Sequence, residues 1–349
     1  LDEAVKMAWE KSNEVTLANT KVNSKKYELQ SVKNNQYPDL KISGQYQRLT
    51  KASIDMPGQG EGASLASPDR AMLGMANLSL PLFAGFKIQN SIDAYESLYE
   101  AETVTAEKTK EDVALRVITY YTALYKAQKT LDVLNENQKS AKQRVKDFTA
   151  MEENGLIARN DLLKSQLQSS NIELSLEDAK KKVSTINYQL VNLLKLQEGT
   201  QIIPEESVFK NSSSEKASFS QNDALASRSD LESLKWLQKA SESNIKVAGA
   251  NYFPSIILSG GYVALKLKNV LEVNNAMNVG VGVSYDLSSI FKNGKDVKLA
   301  KSIASETKQS ADILTDRIKV EVQEAQENYN LSLKQYRVYQ EAVTQADEN

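Results

Sequence analysis

The feature that most constrains this fold is a run of residues, from 88 to 153, that contains neither proline nor glycine. Proline removes a backbone donor and glycine adds backbone entropy, so their absence over this length predicts one continuous helix. At about 1.5 Å per residue, such a helix would be about 100 Å long. Helices of this length exceed the usual globular range and need other helices to pack against. The run therefore predicts a coiled coil or an array of long helices.

Several classes of function are excluded by the residue types that the chain lacks. The sequence contains no cysteine and no histidine, so catalytic triads with histidine, zinc-finger ligands and disulfide frameworks are ruled out. The formal net charge of −2 and the isoelectric point of about 5.7 do not favour nucleic-acid binding. The glycine-rich segment 58–62 lacks the Lys-Ser/Thr of a phosphate-binding loop. We therefore expect no enzyme, no cofactor and no metal site.

The two halves of the chain repeat the same order of features. A helical pattern ends at Pro38 in the first half and at Pro254 in the second, which gives an offset of 216 (254 minus 38). After two strand-like segments, Phe86 corresponds to Phe291, and the offset has become 205 (291 minus 86). The first half therefore has 11 more residues between these points (216 minus 205). The extra residues fall in the loop that contains segment 58–62. An insertion confined to a loop is typical of a structural repeat.

Each repeat is predicted to contain a helix, two strands and a long helix. The first repeat, residues 1–198, is predicted to have a helix at 1–35, strands at 40–49 and 72–83, and coiled-coil helices at 88–153 and 160–196. A linker at 199–222, with a serine-rich stretch at 212–214, precedes the second repeat. The second repeat, residues 223–349, is predicted to have a helix to 251, strands at 256–265 and 277–287, and a helix at 292–349. The turn at 155 plus the offset of 205 would fall near position 360, so we expect this repeat to be truncated before its return helix.

The four strand-like segments alternate in the way that membrane strands do. In the last of them, Met277, Val279, Val281 and Val283 fall on one face. A transmembrane strand needs about 9–11 residues with one apolar face toward lipid. A soluble half-buried sheet shows the same alternation, so alternation alone leaves that alternative open. Four strands cannot close a barrel and lipid tolerates no open sheet edge, which favours several copies that contribute four strands each.

The opposite face of these strands is polar and is predicted to line a pore. The predicted pore-lining residues are Asn77, Ser79, Asn278, Ser284 and Asp286. Any water-filled barrel has such an inward polar face. No stretch approaches about 18 consecutive apolar residues, so no transmembrane helix is predicted, and no signal peptide is visible.

The best candidate for a binding site is the turn between the two longest helices. Gly155 can adopt the positive φ that ends a helix, and Asp161 lies where its charge complements the dipole of the next helix. A capped turn needs nothing more than these features. Leu156 and Ile157, however, are apolar and are expected to be exposed, which favours a partner that covers them.

With these motifs in place, the chain resembles the TolC family of outer-membrane efflux and secretion channels over essentially its whole length. The residues that carry the resemblance are Asp2-Glu3-Ala4-Val5-Lys6-Met7-Ala8, Tyr37-Pro38, Leu80-Pro81-Leu82-Phe83-Ala84-Gly85, Gly155-Leu156-Ile157-Ala158-Arg159-Asn160-Asp161-Leu162-Leu163, Arg228-Ser229-Asp230-Leu231 and Phe253-Pro254. Each pattern is weak by itself, whereas their order and spacing together are specific. One departure is Ser229, where the family usually has proline, but proline at a helix start is only a preference.

The resemblance implies a homotrimer with a twelve-stranded barrel in the bacterial outer membrane and a long α-helical tunnel in the periplasm. It also implies that the turn docks a periplasmic adaptor protein, which belongs to an inner-membrane pump. The docking residues implied in this way are Gly155, Leu156, Ile157, Ala158, Arg159, Asp161 and Leu162. The predicted fold is therefore mostly α, with a small membrane β-barrel portion and a duplicated helix-strand-strand-long helix unit.

The predicted function is export from the periplasm or cytoplasm across the outer membrane, without catalysis. The cargo would be drugs and other small molecules in a tripartite efflux pump, or proteins in a type I secretion system, which share this architecture. A soluble periplasmic coiled-coil scaffold or adaptor is the main alternative, and it explains the long helices but not the duplicated strand pairs. An enzyme with a helical domain is a second alternative that no motif supports.

Overall fold

The computed structural model describes residues 1–50, 68–210, 220–268 and 270–348. The glycine-rich segment 58–62 and the serine-rich stretch 212–214 lie outside the described residues. The helices of the described part are α1 (Asp2–Lys11), α2 (Asn13–Lys33), α3 (Lys87–Glu153), α4 (Arg159–Leu193), α5 (Ser207–Lys210), α6 (Gln221–Ser227), α7 (Ser229–Gly249), α8 (Ser289–Lys292) and α9 (Gly294–Glu348). The strands are β1 (Asp39–Arg48), β2 (Arg70–Ala84), β3 (Ser255–Leu267) and β4 (Leu271–Ser284).

The same order of elements occurs twice along the chain. Helices α2 and α7 each have 21 residues, and their first residues, Asn13 and Ser229, differ by the repeat offset of 216 (229 minus 13). Each helix continues into a three-residue 3-10 turn, Asn34–Gln36 or Ala250–Tyr252, and then into a strand. The constant offset makes α2 the counterpart of α7 and β1 the counterpart of β3.

The long helices follow from the absence of helix breakers. Helix α3 continues for 67 residues, α4 for 35 and α9 for 55. No helix in the described ranges combines the length and the hydropathy that a bilayer-spanning helix needs.

The chain divides into two compact units, of which the first consists of Leu1–Val22, Thr103–Asp230 and the chain from Lys319 onward. Its core is formed where α1, the start of α2, α3 and α4 pack together. The buried residues of this core are Ala8, Val15, Val113, Val117, Tyr121, Leu124, Ala127, Ile186, Leu190 and Leu194.

The second unit, Asn23–Glu102 with Leu231–Ile318, contains the sheet. Its four strands pair in the order β1-β2-β3-β4, and each neighbouring pair is antiparallel. Within the described residues, β1 and β4 each have one edge without a strand partner. The sheet is therefore an open meander to which each repeat contributes two strands.

The predicted helix at 1–35 is interrupted at Ser12, which separates α1 from α2. Ser12 has extended backbone angles, φ −65 and ψ 131. Its hydroxyl accepts a hydrogen bond from the N–H of Glu14 at 3.2 Å, so Ser12 caps the start of α2. Serine can end one helix and start the next without a proline or a glycine, which explains why the helical pattern did not reveal the break.

Strand β4 differs from its predicted range of 277–287 at both ends. It begins at Leu271, and its register shifts between Val263 and Leu265 of β3, where Asn275 has a positive φ of 59°. This bulge interrupts the alternation, so the sequence pattern is regular only beyond it. Pro81 of β2 also lies at a register shift, which is where a proline is tolerated inside a sheet.

The junction between β2 and α3 has a left-handed backbone. Gly85 and Phe86 have φ values of 62° and 65°. The ring of Phe86 contacts Phe83 and Phe253 edge to face, at centroid distances of 5.1 and 6.1 Å. This aromatic cluster holds the end of β2 against the start of β3.

Candidate functional site

The turn between α3 and α4 is closed by backbone hydrogen bonds. The N–H of Gly155 donates to the carbonyl of Glu152 at 2.9 Å, and the N–H of Leu156 donates to the carbonyl of Met151 at 2.8 Å. Gly155 has a φ of 72°. These two bonds and the left-handed glycine make a Schellman motif, which satisfies the last carbonyls of α3.

The predicted docking residues differ in their exposure. Leu156 is 71% exposed, and Gly155, Ala158, Arg159 and Asp161 are also exposed. Ile157, in contrast, is only half-buried rather than exposed, and Leu162 is buried at 9% exposure. The expectation that Ile157 would be exposed is therefore wrong. Leu162 contributes to packing, because it lies on the inward face of the first turn of α4.

Charged residues surround the turn without burying it. Arg159 lies 4.0 Å from the carboxylate of Glu152 across the turn, and Lys164 lies 3.5 Å from that of Asp161. Both pairs are open to solvent, with Glu152 alone partly buried, so they add little stability. The turn therefore presents one exposed leucine inside a ring of mixed charge.

Four of the five predicted pore-lining residues share one face of the sheet. Asn77 pairs with Gly261 and Gly261 with Asn278, so the two amides lie in one row across β2, β3 and β4. A Cβ at Gly261 would lie 2.4 Å from Oδ1 of Asn278, so this glycine leaves room for the amide. Ser79 and Ser284 fall on the same face by the alternation of their strands.

Asp286 does not lie on this face, because β4 ends at Ser284. Its carboxylate accepts hydrogen bonds from the hydroxyl of Ser288 at 2.7 Å and from its N–H at 2.9 Å. These hydrogen bonds lower the pKa of Asp286 below its ordinary value. Asp286 therefore lies in a turn stabilised by its side chain, which replaces the last predicted strand residues, and its pore-lining role stays a prediction.

The opposite face of the sheet is apolar and exposed. In β4, Met277, Val279, Val281 and Val283 are between 62% and 84% exposed. The other exposed apolar residues of this face are Leu40, Ile42, Tyr46, Met72, Leu78 and Leu82. An exposed apolar face of this extent marks a surface that something other than water covers.

Two ion pairs fasten the short helices to the long ones at related positions of the two repeats. Arg116 of α3 contacts Glu14 of α2 at 2.5 Å. Arg228 forms two hydrogen bonds with Asp230, at 2.9 and 2.6 Å, and a third with Glu321 of α9 at 2.7 Å. The hydrogen bonds to Asp230 and Glu321 raise the pKa of Arg228. Glu14 corresponds to Asp230 at the offset of 216 (230 minus 14), and Arg116 corresponds to Glu321 at the offset of 205 (321 minus 116). Both members of the pair are acidic in the second repeat, and Arg228 bridges their two carboxylates.

The sequence did not reveal that the linker packs against the long helices. Phe209 stacks on Tyr125 with 4.1 Å between the ring centroids. The hydroxyl of Tyr121 accepts a hydrogen bond from the N–H of Glu205 at 2.7 Å, and the amide of Gln128 donates to the carbonyl of Ile202 at 3.1 Å. The apolar residues of an otherwise polar linker were the available signal.

Long paired helices joined to a small antiparallel sheet with an exposed apolar face define a channel protein of the outer-membrane type. The family model described as "Outer membrane efflux protein" matches residues 4–194 and 221–349. The chain therefore belongs to the outer membrane efflux protein family, in agreement with the resemblance to TolC-type channels. Its place is the bacterial outer membrane with a large periplasmic helical portion, and the soluble scaffold is not favoured.

Solved structures of outer-membrane channels share this fold. The chain is similar to the outer-membrane channel OprN, with a TM-score of 0.79 and 17% identity over 99% of this chain and 77% of that chain. It is also similar to VceC from Vibrio cholerae, with a TM-score of 0.79 and 13% identity over 99% of this chain and 83% of that one. CmeC from Campylobacter jejuni gives a TM-score of 0.72 and 19% identity over 99% and 76% of the two chains. No curated protein matches the chain.

Proposed function

We propose that the chain is one protomer of a homotrimeric channel for export, without catalysis, whose strands close a twelve-stranded barrel and whose helices form a periplasmic tunnel. The observation that carries this proposal is the open sheet with an exposed apolar face. Lipid accepts such a face but no unpaired strand edge, because edge N–H and C=O groups have no water to bond there. Pairing β4 of one copy with β1 of the next removes both edges.

A comparison of the two short helices supports this arrangement. Helix α7 is buried on the side that carries Ser229 and Ser233, which are only 9% and 8% exposed. Their counterparts on α2, at the repeat offset of 216, are Asn13 and Leu17. Both are exposed, Leu17 by 56%. Helix α2 therefore has a free side at the position where α7 is covered.

The long helices show the complementary difference. Val113 of α3 and its counterpart on α9, Ile318, are both fully buried. In contrast, Ala94 of α3 is 1% exposed, whereas its counterpart Leu299, at the same offset of 205 (299 minus 94), is 61% exposed. Helix α9 thus has an uncovered stripe where α3 is covered.

The contact between α7 and α3 inside one chain supports a specific choice of neighbour for α2. The hydroxyl of Ser233 on α7 donates to the carbonyl of Ala101 on α3 at 3.1 Å. The counterparts of these two residues are Leu17 on α2 and Glu306 on α9. We therefore place α2 of one copy against α9 of the next, with Leu17 beside Glu306. This contact is heterologous, and a heterologous contact generates a ring when the rotation between copies closes.

The experiment that tests this proposal is cysteine cross-linking in outer membranes, since the chain has no native cysteine. Leu17→Cys with Glu306→Cys should give covalent dimers and trimers on oxidation, because its two thiols would be within disulfide reach. Leu17→Cys with Lys308→Cys, which turns to the other side of α9, should stay monomeric. Ser233→Cys with Ala101→Cys should close a bond within one chain and serves as the positive control.

The second measurement is the retention of a fluorescent efflux dye by cells in which this protein is the sole outer-membrane efflux channel. Cross-linked trimers together with low dye retention support the proposal. Monomers from the Leu17 and Glu306 pair, alongside a closed internal control, would refute the arrangement of copies. High dye retention despite trimers would refute the efflux of small molecules.

The turn between α3 and α4 is the part that we assign to the periplasmic adaptor of an inner-membrane pump. Leu156 supplies the exposed apolar contact, and Arg159 and Asp161 supply polar contacts at the rim. Gly155 keeps the turn short, while Leu162 supports it from inside. The polar row of Asn77 and Asn278 would face the water-filled interior of the barrel, together with Ser79 and Ser284.

A further inference from the structure

We propose that the sheet binds the phosphate groups of an outer-leaflet glycolipid, such as lipid A, at the hairpin end of its apolar face. The residues of this site, which we call the basic rim, are Arg48, Arg70, Lys266 and Lys268. This inference rests on the channel proposed above, because the apolar face must lie against lipid.

The register of the strands places these cations at one edge of the apolar face. Tyr46 pairs with Met72, and Met72 pairs with Lys266. Tyr46 and Met72 are 59% and 50% exposed on the apolar face. One step further, Arg48 pairs with Arg70. Side chains alternate along a strand, so both arginines and Lys266 fall on the same face as Tyr46 and Met72.

The cations are confined to the hairpin end of this face. Within the four strands, the only other basic residue is Lys41, which lies on the opposite, polar face beside Asn77. From Met72 to Leu82 the apolar face of β2 extends for about 34 Å along the strand. At a strand tilt of about 40° this is about 26 Å across the membrane, close to the apolar band of membrane barrels. The basic rim therefore lies at headgroup level.

The local charges leave room for an anion. Lys268 and Arg70 share the carboxylate of Asp69, at 3.5 and 3.7 Å, and Lys266 contacts Glu272 at 2.9 Å. Among the described residues, Arg48 forms no ion pair. Counted over these described residues alone, four cations and two carboxylates sum to a charge of +2.

The pairing of two arginines is unfavourable without a ligand. Like charges directly opposite each other on neighbouring strands destabilise a sheet. A phosphate between Arg48 and Arg70 would reverse this effect, because guanidinium groups bind phosphate oxygens in pairs of hydrogen bonds. The apolar residues next to them, Tyr46 and Met72, would contact acyl chains, which distinguishes a phosphorylated lipid from free phosphate.

The position of the helices fixes which leaflet the rim meets. Helices α2, α3, α7 and α8 all join the strands at the end opposite the hairpins. Because the helical portion of this family is periplasmic, the hairpin end faces outward. The rim then meets the headgroups of the outer leaflet, where a phosphorylated lipid would supply both the anion and the acyl chains.

The test measures binding of purified lipid A to the full chain in nonionic detergent by native mass spectrometry. The Arg48→Gln/Arg70→Gln variant should bind about 25-fold more weakly, at about fivefold for each cation lost near an anionic lipid. Lys41→Gln, on the polar face of the same sheet, should bind as the unaltered protein does. Dephosphorylated lipid A should bind weakly, and millimolar inorganic phosphate should not displace lipid A.

The lipid site would be overturned if the double variant bound lipid A as tightly as the unaltered protein. It would also be overturned if dephosphorylated lipid A bound as tightly as lipid A, or if Lys41→Gln weakened binding as much as the double variant. Full displacement of lipid A by inorganic phosphate would also overturn it, in favour of a simple anion site. The cross-link of Leu17→Cys with Glu306→Cys is measured with and without Arg48→Gln/Arg70→Gln. If the lipid site fails alone, that cross-link and dye export remain, whereas failure of the proposed channel removes both even when the two arginines are present.

Discussion

Replacing Gly85 by alanine is the substitution whose cost the structure defines most directly. Gly85 has a φ of +62°, and a Cβ there would lie 2.3 Å from the carbonyl oxygen of Ala250 and 3.0 Å from Cβ of Phe253. The nearest atom belongs to backbone, so it cannot turn away as a flexible side chain would. The alanine must therefore distort the junction between β2, α3 and the start of β3.

The magnitude has two contributions. The left-handed conformation costs a residue with a Cβ about 1–2 kcal/mol. Overpacking of a fixed contact costs about 1–3 kcal/mol more. Gly85→Ala should therefore lower the free energy of unfolding by about 2–5 kcal/mol.

Two other glycines separate these contributions. Gly155 has a φ of +72° but no atom within 4 Å of a Cβ placed there. Gly155→Ala should therefore lower the free energy of unfolding by about 1–2 kcal/mol, from backbone strain alone. Gly44 has neither a positive φ nor a close neighbour, so Gly44→Ala should change stability by less than about 0.5 kcal/mol. The measurement is urea unfolding of the purified protein in detergent, followed by helical circular dichroism. Equal losses for Gly85→Ala and Gly155→Ala would refute the argument from the Ala250 carbonyl.

Three further predictions concern the linker, the turn and acid stability. Phe209→Ala should remove the stack on Tyr125 and cost about 1–3 kcal/mol, seen as faster proteolysis of the linker, whereas Ile203→Ala, at 84% exposure, should have no effect. Leu156→Asp should abolish dye export while cross-linked trimers still form and Leu156→Met should export normally; normal export by the aspartate variant would contradict adaptor docking at the turn. Because the pKa of Asp286 is lowered in the fold, its stabilising effect is present above the ordinary carboxyl range and is lost as pH falls through the lowered value. Asp286→Asn should therefore show a smaller drop in unfolding midpoint between neutral and acidic pH than the unaltered protein, and an equal drop would contradict this role.

The parts of the fold that depend on repeated local patterns could be predicted from the sequence. The absence of proline and glycine is sufficient to predict α3, because nothing along it competes with the helix. The alternation of Met277 to Val283 is sufficient to predict the apolar face of β4. The order and spacing of the motifs along the chain were sufficient to predict its family, its place in the outer membrane and its role in efflux.

The features that depend on single side chains in three dimensions could not be predicted in this way. The bulge at Asn275 and the turn at Asp286 both use polar side chains that the period-two pattern reads as ordinary strand positions. The burial of Leu162 depends on how the two helices of the hairpin meet, which the turn sequence does not specify. The stack of Phe209 on Tyr125 joins residues that are far apart in the sequence, and no local pattern relates them.

The contact of α7 with α3 has a consequence for how a ring of copies would assemble. This contact joins two repeats that one polypeptide holds together, so it forms at an effective concentration of about millimolar, whatever the protein concentration in the membrane. Small residues on both helices, Ser233 of α7 and Ala101 of α3, let the helices approach to within a hydrogen bond of 3.1 Å. In the proposed trimer, three of the six contacts between neighbouring repeats would lie within single chains and would form before any copies associate. Gene duplication would thus have reduced the number of contacts that must form between separate subunits from six to three.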